Sequence, residues 1–428
     1  MKAKLISMLL FFILFGSFTS VTAVNSVSAS ELVENSWNTK TPMTKQAWAR
    51  PGVVVFDGKI YVIGANVFYG DPFDPGYMEC YDPKTDTWIT LTPMPTPRCV
   101  GSVVVYQDQI FCIGGEVPNF GPVFVSRSVD VVEVYNPVND EWSTKASLPV
   151  VDGPPLACVV NDQLFVITYS GETYVYDPSA DSWVSKASLP FNALLSKVAC
   201  VVNDQLFVAI NKVIYDISEN TWALVMYDST TDSWIKKADP IVSEWPGAFR
   251  VVNDKIVMVD QPETNMNTGS AQLNIRIYDP TVDKWSEGKS GPKSMVFYGR
   301  LFVGVTSGVY ASTKVYVFGY EQIDRNTFQA FTGVYDPINN AWSTAKAMST
   351  PRHVSDQGTD NLIVVDDIFY LMGSGSFNEQ YVPIDYLSDK QDTSKPDLTL
   401  NNIAIVALIL IVIFAVVGVL VYLKKRSR

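Results

Sequence analysis

The chain has one histidine, His353 in STPRHVSD, so any chemistry requiring two imidazoles is out of reach. Five cysteines are present, Cys80, Cys99, Cys112, Cys158 and Cys200, with no C-x-x-C spacing, and a Cys/His metal cluster cannot be assembled from them. Cys158 and Cys200 occupy the same place in two copies of ACVVNDQLFV, at 157–166 and 199–208. They read either as small buried apolar residues or as a bridge between adjacent units in an oxidising compartment. The acidic pair Asp71/Asp74 has the composition of a glycosidase site, but it lies in a Gly/Pro-rich stretch with no recognisable partner. No G-x-S-x-G, H-E-x-x-H or phosphate-binding glycine loop occurs. The expectation is a non-catalytic protein with no metal and no cofactor.

Binding chemistry is better represented. Four long, dissimilar segments, 66–78, 116–128, 261–272 and 320–331, interrupt otherwise repetitive sequence. They carry Phe68, Tyr69, Asp71, Phe73, Asp74, Tyr77, Phe120, Phe124, Phe328 and Phe331. Aromatics among polar neighbours on long loops suit protein or sugar recognition, and these residues are expected along one rim. The alternative is that the rings pack against their own loops. Arg98 and Arg352 both follow Thr-Pro at the start of a unit, which predicts hydrogen bonds between units rather than a ligand clamp. His353 reads as a connector residue.

These residues are carried by a repeat. YDPKTDTW (81–88), YNPVNDEW (135–142), YDPSADSW (176–183), YDSTTDSW (227–234), YDPTVDKW (278–285) and YDPINNAW (335–342) are six copies of one octapeptide, and Trp37 stands at the phase of a seventh. The tryptophans are 41 to 57 residues apart. Trp222 falls outside this phase and reads as a residue of an outer hairpin, with Trp234 at the repeat position. Each unit also contains two apolar runs around a short turn, as in GVVVFDGKIYVIG and RVVNDKIVMVD, the pattern of a tight β-hairpin. Every recognisable turn of this type is tight. In the octapeptide, the Asp or Asn after Tyr starts a turn by bonding its own backbone, and Pro fixes φ. Tyr81, Trp88, Tyr135, Trp142, Tyr176, Trp183, Tyr227, Trp234, Tyr278, Trp285, Tyr335 and Trp342 are therefore structural repeat positions, with Trp filling the gap between units. Four short strands per unit predict an all-β, seven-bladed β-propeller, six or eight blades being the alternatives.

The unit of hydrophobic hairpin, paired glycine, spaced Tyr and Trp resembles the kelch repeat over roughly residues 37–387. The pair is intact at Gly114-Gly115, reduced at Gly64-Ala65, Gly319-Tyr320 and Gly373-Ser374, and lost elsewhere. The resemblance implies a propeller and a binding scaffold. Kelch-type propellers include the copper enzyme galactose oxidase, whose site needs two histidines, so that activity does not carry over. The S-x-D-x-G-x-x-W repeat of bacterial sialidases does not occur.

The ends set the expected compartment. Lys2 and Lys4, an apolar run and small-residue exits at Ala23 and Ala29 read as a signal peptide, residues 1–29. The propeller then covers 30–387 and a stalk 388–402. Ile403 to Leu423 carries no charge and predicts one transmembrane helix, followed by a basic tail, 424–428, on the cytoplasmic side. Without Lys2, Lys4 and the four basic tail residues, 26 Lys and Arg face 44 Asp and Glu. That charge argues against nucleic acid as a partner. The expected function is display of a rigid propeller outside the cell for protein or glycan binding. A structural envelope-layer protein and a propeller enzyme of another activity are the alternatives. Closure of the ring is expected to bring Glu31–Trp37 and Glu379–Tyr386 into or beside one blade, the latter as a final outer strand.

Overall fold

The computed structural model describes residues 32–44, 51–64, 76–117, 127–190, 197–212, 221–240, 246–260, 273–291, 302–322, 328–348, 361–373 and 377–386. The expected signal peptide, stalk, span and tail lie outside them, as do Arg352 and His353. The described residues form 28 strands in seven four-stranded antiparallel sheets, and among them no helix is long and apolar enough to cross a membrane. The inner strands of blades 1 to 7 are Gly52–Phe56, Cys99–Tyr106, Leu156–Val160, Lys197–Val202, Pro246–Val252, Phe302–Val305 and Asn361–Val365. Each touches the next, and that of blade 7 touches that of blade 1, so the ring is closed.

The inner hairpins follow from turn chemistry. Six of them turn at Asp57-Gly58, Gln107-Asp108, Asn161-Asp162, Asn203-Asp204, Asn253-Asp254 and Asp366-Asp367, with φ positive at both residues. That is the geometry whose twist matches paired strands, and Asn, Asp and Gly tolerate it best. Blade 6 departs from the expected tight turn. Its inner and second strands are joined by residues 306–314, which arch over blade 7. There Asp367 accepts backbone N–H bonds from Ser307, Tyr310 (2.8 Å) and Ala311 (3.1 Å).

The core is divided among the interfaces. Seven hydrophobic clusters lie one between each pair of neighbouring blades. Along each interface the octapeptide forms a lock. In blade 2 the Tyr135 hydroxyl donates to Asp140 Oδ1 (2.7 Å), and the same oxygen accepts the N–H of Thr92 from the connector entering the blade (2.9 Å). Trp142 Nε1 then donates to the Thr92 carbonyl (2.8 Å). The same three bonds recur in blade 1 on Thr41, in blade 3 on Ala146, in blade 4 on Ala187, in blade 5 on Ala238 and in blade 6 on Lys289. The accepting residue sits at φ 45–55°, which Asp and Asn tolerate better than other residues with a β-carbon. Tyr and Trp ring centroids are 4.9–5.4 Å apart in every blade.

Blade 7 builds the lock from both ends of the ring. Its strands are Asn361–Val365, Ile368–Gly373 and Phe377–Val382, and its outer strand is Ser36–Thr39. The lock consists of Tyr381, Asn35 and Trp37, acting on Lys346. The two ends do share a blade, but the C-terminal segment is the third strand, not the outer one. It ends at Val382 because Pro383 has no N–H to continue the ladder.

Candidate functional site

Antiparallel strands place the inner-hairpin turns and the lock turns on one face of the ring and the long connections on the other. On the long-connection face a cavity of about 280 Å³ opens where the inner strands of blades 1 and 2 begin. Gly52 and Val53, the run Cys99–Val103, Gly115, Glu116 and Pro154 line it. Glycine is required at its edge. Gly115 has φ 116°, and a Cβ there would sit 2.1 Å from the Cys99 carbonyl oxygen. The Gly114-Gly115 pair also shifts the register of the second and third strands of blade 2.

Arg98 uses that irregularity. Fully buried, it donates from Nε to Gly114 O (2.8 Å), from Nη2 to Cys112 O (3.0 Å), and from Nη1 to Thr96 O (2.9 Å) and the Glu133 carboxylate. The Thr96 hydroxyl donates to the other Glu133 oxygen (2.7 Å). The pair ties the entering connector to the strands of blade 2. Buried and with its guanidinium engaged, Arg98 offers no charge to a ligand. A glutamate two residues before the lock tyrosine is buried in three consecutive blades, as Glu379, Glu79 and Glu133 of blades 7, 1 and 2. The other four blades have Tyr174, Val225, Arg276 and Gly333 there.

The candidate rim residues divide. Phe68, Tyr69, Asp71, Phe73, Asp74, Phe120 and Phe124 lie outside the described residues, and so does the side chain of Phe328. Tyr77 is buried, 2 % exposed, and its carbonyl accepts the Gly64 N–H (2.8 Å), so it belongs to the body of blade 1 rather than to an exposed rim. Phe331 is also removed from the rim. It lies in the strand Phe328–Asp336 opposite Gly319 and packs on the cluster between blades 5 and 6. The blade 6 strands run on to Gln322 and resume at Phe328, so this connection is shorter than the 320–331 expected. Alternating Phe-Gln-Ala-Phe-Thr fits an extended strand as well as a loop, which is why the sequence did not separate them.

None of the five cysteines is in a disulfide. Cys158 packs on the cluster between blades 3 and 4 and Cys200 on that between blades 4 and 5. Equivalent residues of successive blades point into successive interfaces, so they do not face each other. Burial pushes the Cys112, Cys158 and Cys200 thiols up to about 12, leaving little thiolate at neutral pH for metal binding or nucleophilic attack. Among the described residues no group of three or more His, Cys, Asp or Glu is placed to hold a metal.

Comparison with known proteins agrees with this architecture. The Kelch motif profile matches residues 47–95 and 97–149, which are blades 1 and 2. The chain is 26 % identical over 137 residues to Kelch-like protein 26 of Danio rerio, covering 31 % of this chain and 21 % of that protein. It is 29 % identical over 147 residues to Kelch-like protein terF of Aspergillus terreus, covering 33 % and 32 %. To Kelch repeat and BTB domain-containing protein 8 of Danio rerio it is 27 % identical over 283 residues, covering 64 % and 38 %. These matches span from about a fifth to two fifths of the relatives' length. A solved structure titled "Structure of YjhT" aligns with TM-score 0.45 at 13 % identity over 68 % of this chain and 98 % of that one, too distant to carry weight. Sequence and structure together make the chain a seven-bladed β-propeller bearing kelch motifs.

Proposed function

We propose that this protein is a non-catalytic cell-surface binder. In this reading it is held by one span at 403–423, with the tail inside, and captures a protein or carbohydrate partner outside the cell. The observation that carries the reading is the separation of the two faces. Asn35 donates to Pro383 O (3.3 Å) and the Asp385 N–H to Glu34 Oε2 (3.3 Å), so the first and last described segments leave the ring together on the turn face. The cavity and the long connections open on the opposite face. A chain tethered through residues 388–402 then presents its long connections away from the bilayer. Twenty-one uncharged residues at about 1.5 Å each suffice to cross a hydrocarbon core, and Lys424, Lys425, Arg426 and Arg428 favour the cytoplasmic side.

The test has two arms. Protease added to intact cells removes the propeller and leaves a short stub; protection of the propeller refutes the orientation. Replacing Tyr69, Phe73, Phe120 and Phe124 by Ala abolishes capture on glycan arrays or by a purified protein partner, at unchanged thermal stability. Unfolding of that variant makes the rings internal packing and removes the binding face.

A further inference from the structure

On the turn face, two residue choices distinguish one seam between neighbouring blades from another. The first is an aromatic at the end of the inner strand. Phe56 takes that position beside blade 2, and Tyr106 beside blade 3. The second is a lysine from the following blade, at the start of its second strand. Where the inner strand ends in Val365, Lys59 of blade 1 pairs with Asp82 (3.7 Å). Where it ends in Val202, Lys255 of blade 5 pairs with Asp279 (2.9 Å). Lys314 has the equivalent position in blade 6 but pairs with Asp385 of blade 7 (2.6 Å).

The seam between blades 3 and 4 has neither. Its inner strand ends in Val160, and Gln205 stands where blade 5 has Lys255. The aspartate is retained as Asp228, with no lysine or arginine in ion-pair contact among the described residues. A cleft of about 160 Å³ opens here. Asn161 Nδ2 donates across it to Asp204 O (3.0 Å) and fixes its width. Asn161, Gln163, Gln205 and Thr230 give it a mostly polar lining, and Asp204 and Asp228 are its acidic residues. Asp228 accepts the Thr230 N–H (2.9 Å) and the Thr231 hydroxyl (2.6 Å), bonds that hold its carboxyl below the usual range and keep it ionised at neutral pH. A polar crevice lined by two acidic residues and by no lysine or arginine suits a side chain with a cationic head.

We propose that the cleft between blades 3 and 4 receives a lysine or arginine side chain of a protein partner, in the place that Lys255 takes at the next seam. It is a second interaction surface, on the face opposite the long connections, and stands independently of any binding there. Gln163 with Asp177 in blade 3 repeats the unmatched charge, but Tyr106 occupies that seam. Blade 2, with Gln109 and Asn136, carries no charge at these positions.

The full chain in neutral detergent micelles is titrated with a fluorescein-labelled acetyl-(Gly-Lys)3 amide, read by anisotropy at about 0.15 M salt, where long-range attraction to an acidic protein is screened. Gln205→Lys supplies the missing lysine and Asp228→Asn reproduces the neutral pattern of blade 2, so both keep arrangements the fold already contains. Each weakens binding about three- to fivefold, the upper end of what one exposed ion pair supplies. Gln109→Lys makes the same charge change at the seam preceding blade 2 and leaves binding within about twofold. Equal weakening by Gln109→Lys and Gln205→Lys, insensitivity to all three variants, or no binding by the unaltered chain overturns the proposal.

Discussion

Blades 2 and 7 carry the same lock, built in different ways. In blade 2, Tyr135, Asp140 and Trp142 lie within eight residues, and a local turn delivers all three. In blade 7, Tyr381 comes from one end of the ring and Asn35 and Trp37 from the other. The ring geometry is equal in the two places, with Tyr–Trp centroids 5.2 and 5.1 Å apart. The entropy is not. Forming the blade 2 lock closes a short loop, whereas the blade 7 lock closes nearly the whole chain. Blade 7 adds the 306–314 arch, in which Tyr310 stacks on Tyr386 (6.0 Å) and Lys314 reaches Asp385. Closure is therefore expected to govern the cooperativity of the ring, with the arch as its brace.

Removing residues 32–39 puts this difference under the greatest load. It deletes the outer strand of blade 7 and two of three lock residues, leaving an open edge. Calorimetry is expected to show a broadened transition at a markedly lower Tm than Trp142→Ala, which itself costs about 3 kcal/mol. Equal transitions would mean that closure contributes no more than any single lock. Next in size is Arg98→Ala, which leaves Glu133 buried without its cation. A loss of about 3–5 kcal/mol in urea titration is expected, and a loss below about 1 kcal/mol would show that the pair does not hold the blade 2 entry.

Smaller substitutions compare the acceptors. Tyr135→Phe breaks a bond to a carboxylate and is expected to cost about 1.5–3 kcal/mol, whereas Tyr381→Phe breaks one to an amide and costs about 0.5–1.5 kcal/mol. The reverse order would mean that the closing lock is the stronger one. The smallest effect is on pH. For Asp140 the bonds from Tyr135 and Thr92 outweigh burial, and for Asp181 and Asp232 the N–H bonds of Ala146 and Ala187 lead, so all three carboxyls lie below their ordinary value. A lowered folded pKa stabilises above the ordinary value of about 4 and ceases to do so as pH falls through the lowered one. Stability of the full chain should thus fall with acid below about pH 4, and Asp181→Asn should flatten that slope slightly. Asn340 and Asn35 do not titrate, so blades 6 and 7 should keep their locks in acid. An unchanged slope in Asp181→Asn would sever the lock from the acid response.

The sequence by itself determined the features written within one unit. Asn-Asp and Asp-Gly between apolar runs specify turns with positive φ, and Tyr-x4-Asp-x-Trp specifies a turn that exposes an acceptor beside an indole, because turn chemistry is settled over a few residues. Seven phases of tryptophan then gave seven blades. What tertiary structure decided is which surfaces meet. The lock residues act on the preceding connector rather than on their own blade. Cys158 and Cys200 point into different interfaces, Tyr77 and Phe331 turn inward, and Ser36–Thr39, rather than the C-terminal segment, forms the outer strand of blade 7. The open seam between blades 3 and 4 is a fact of the same kind. Val160 and Gln205 are unremarkable 45 residues apart in sequence, and they leave a cleft only because the ring sets the end of one blade against the start of the next.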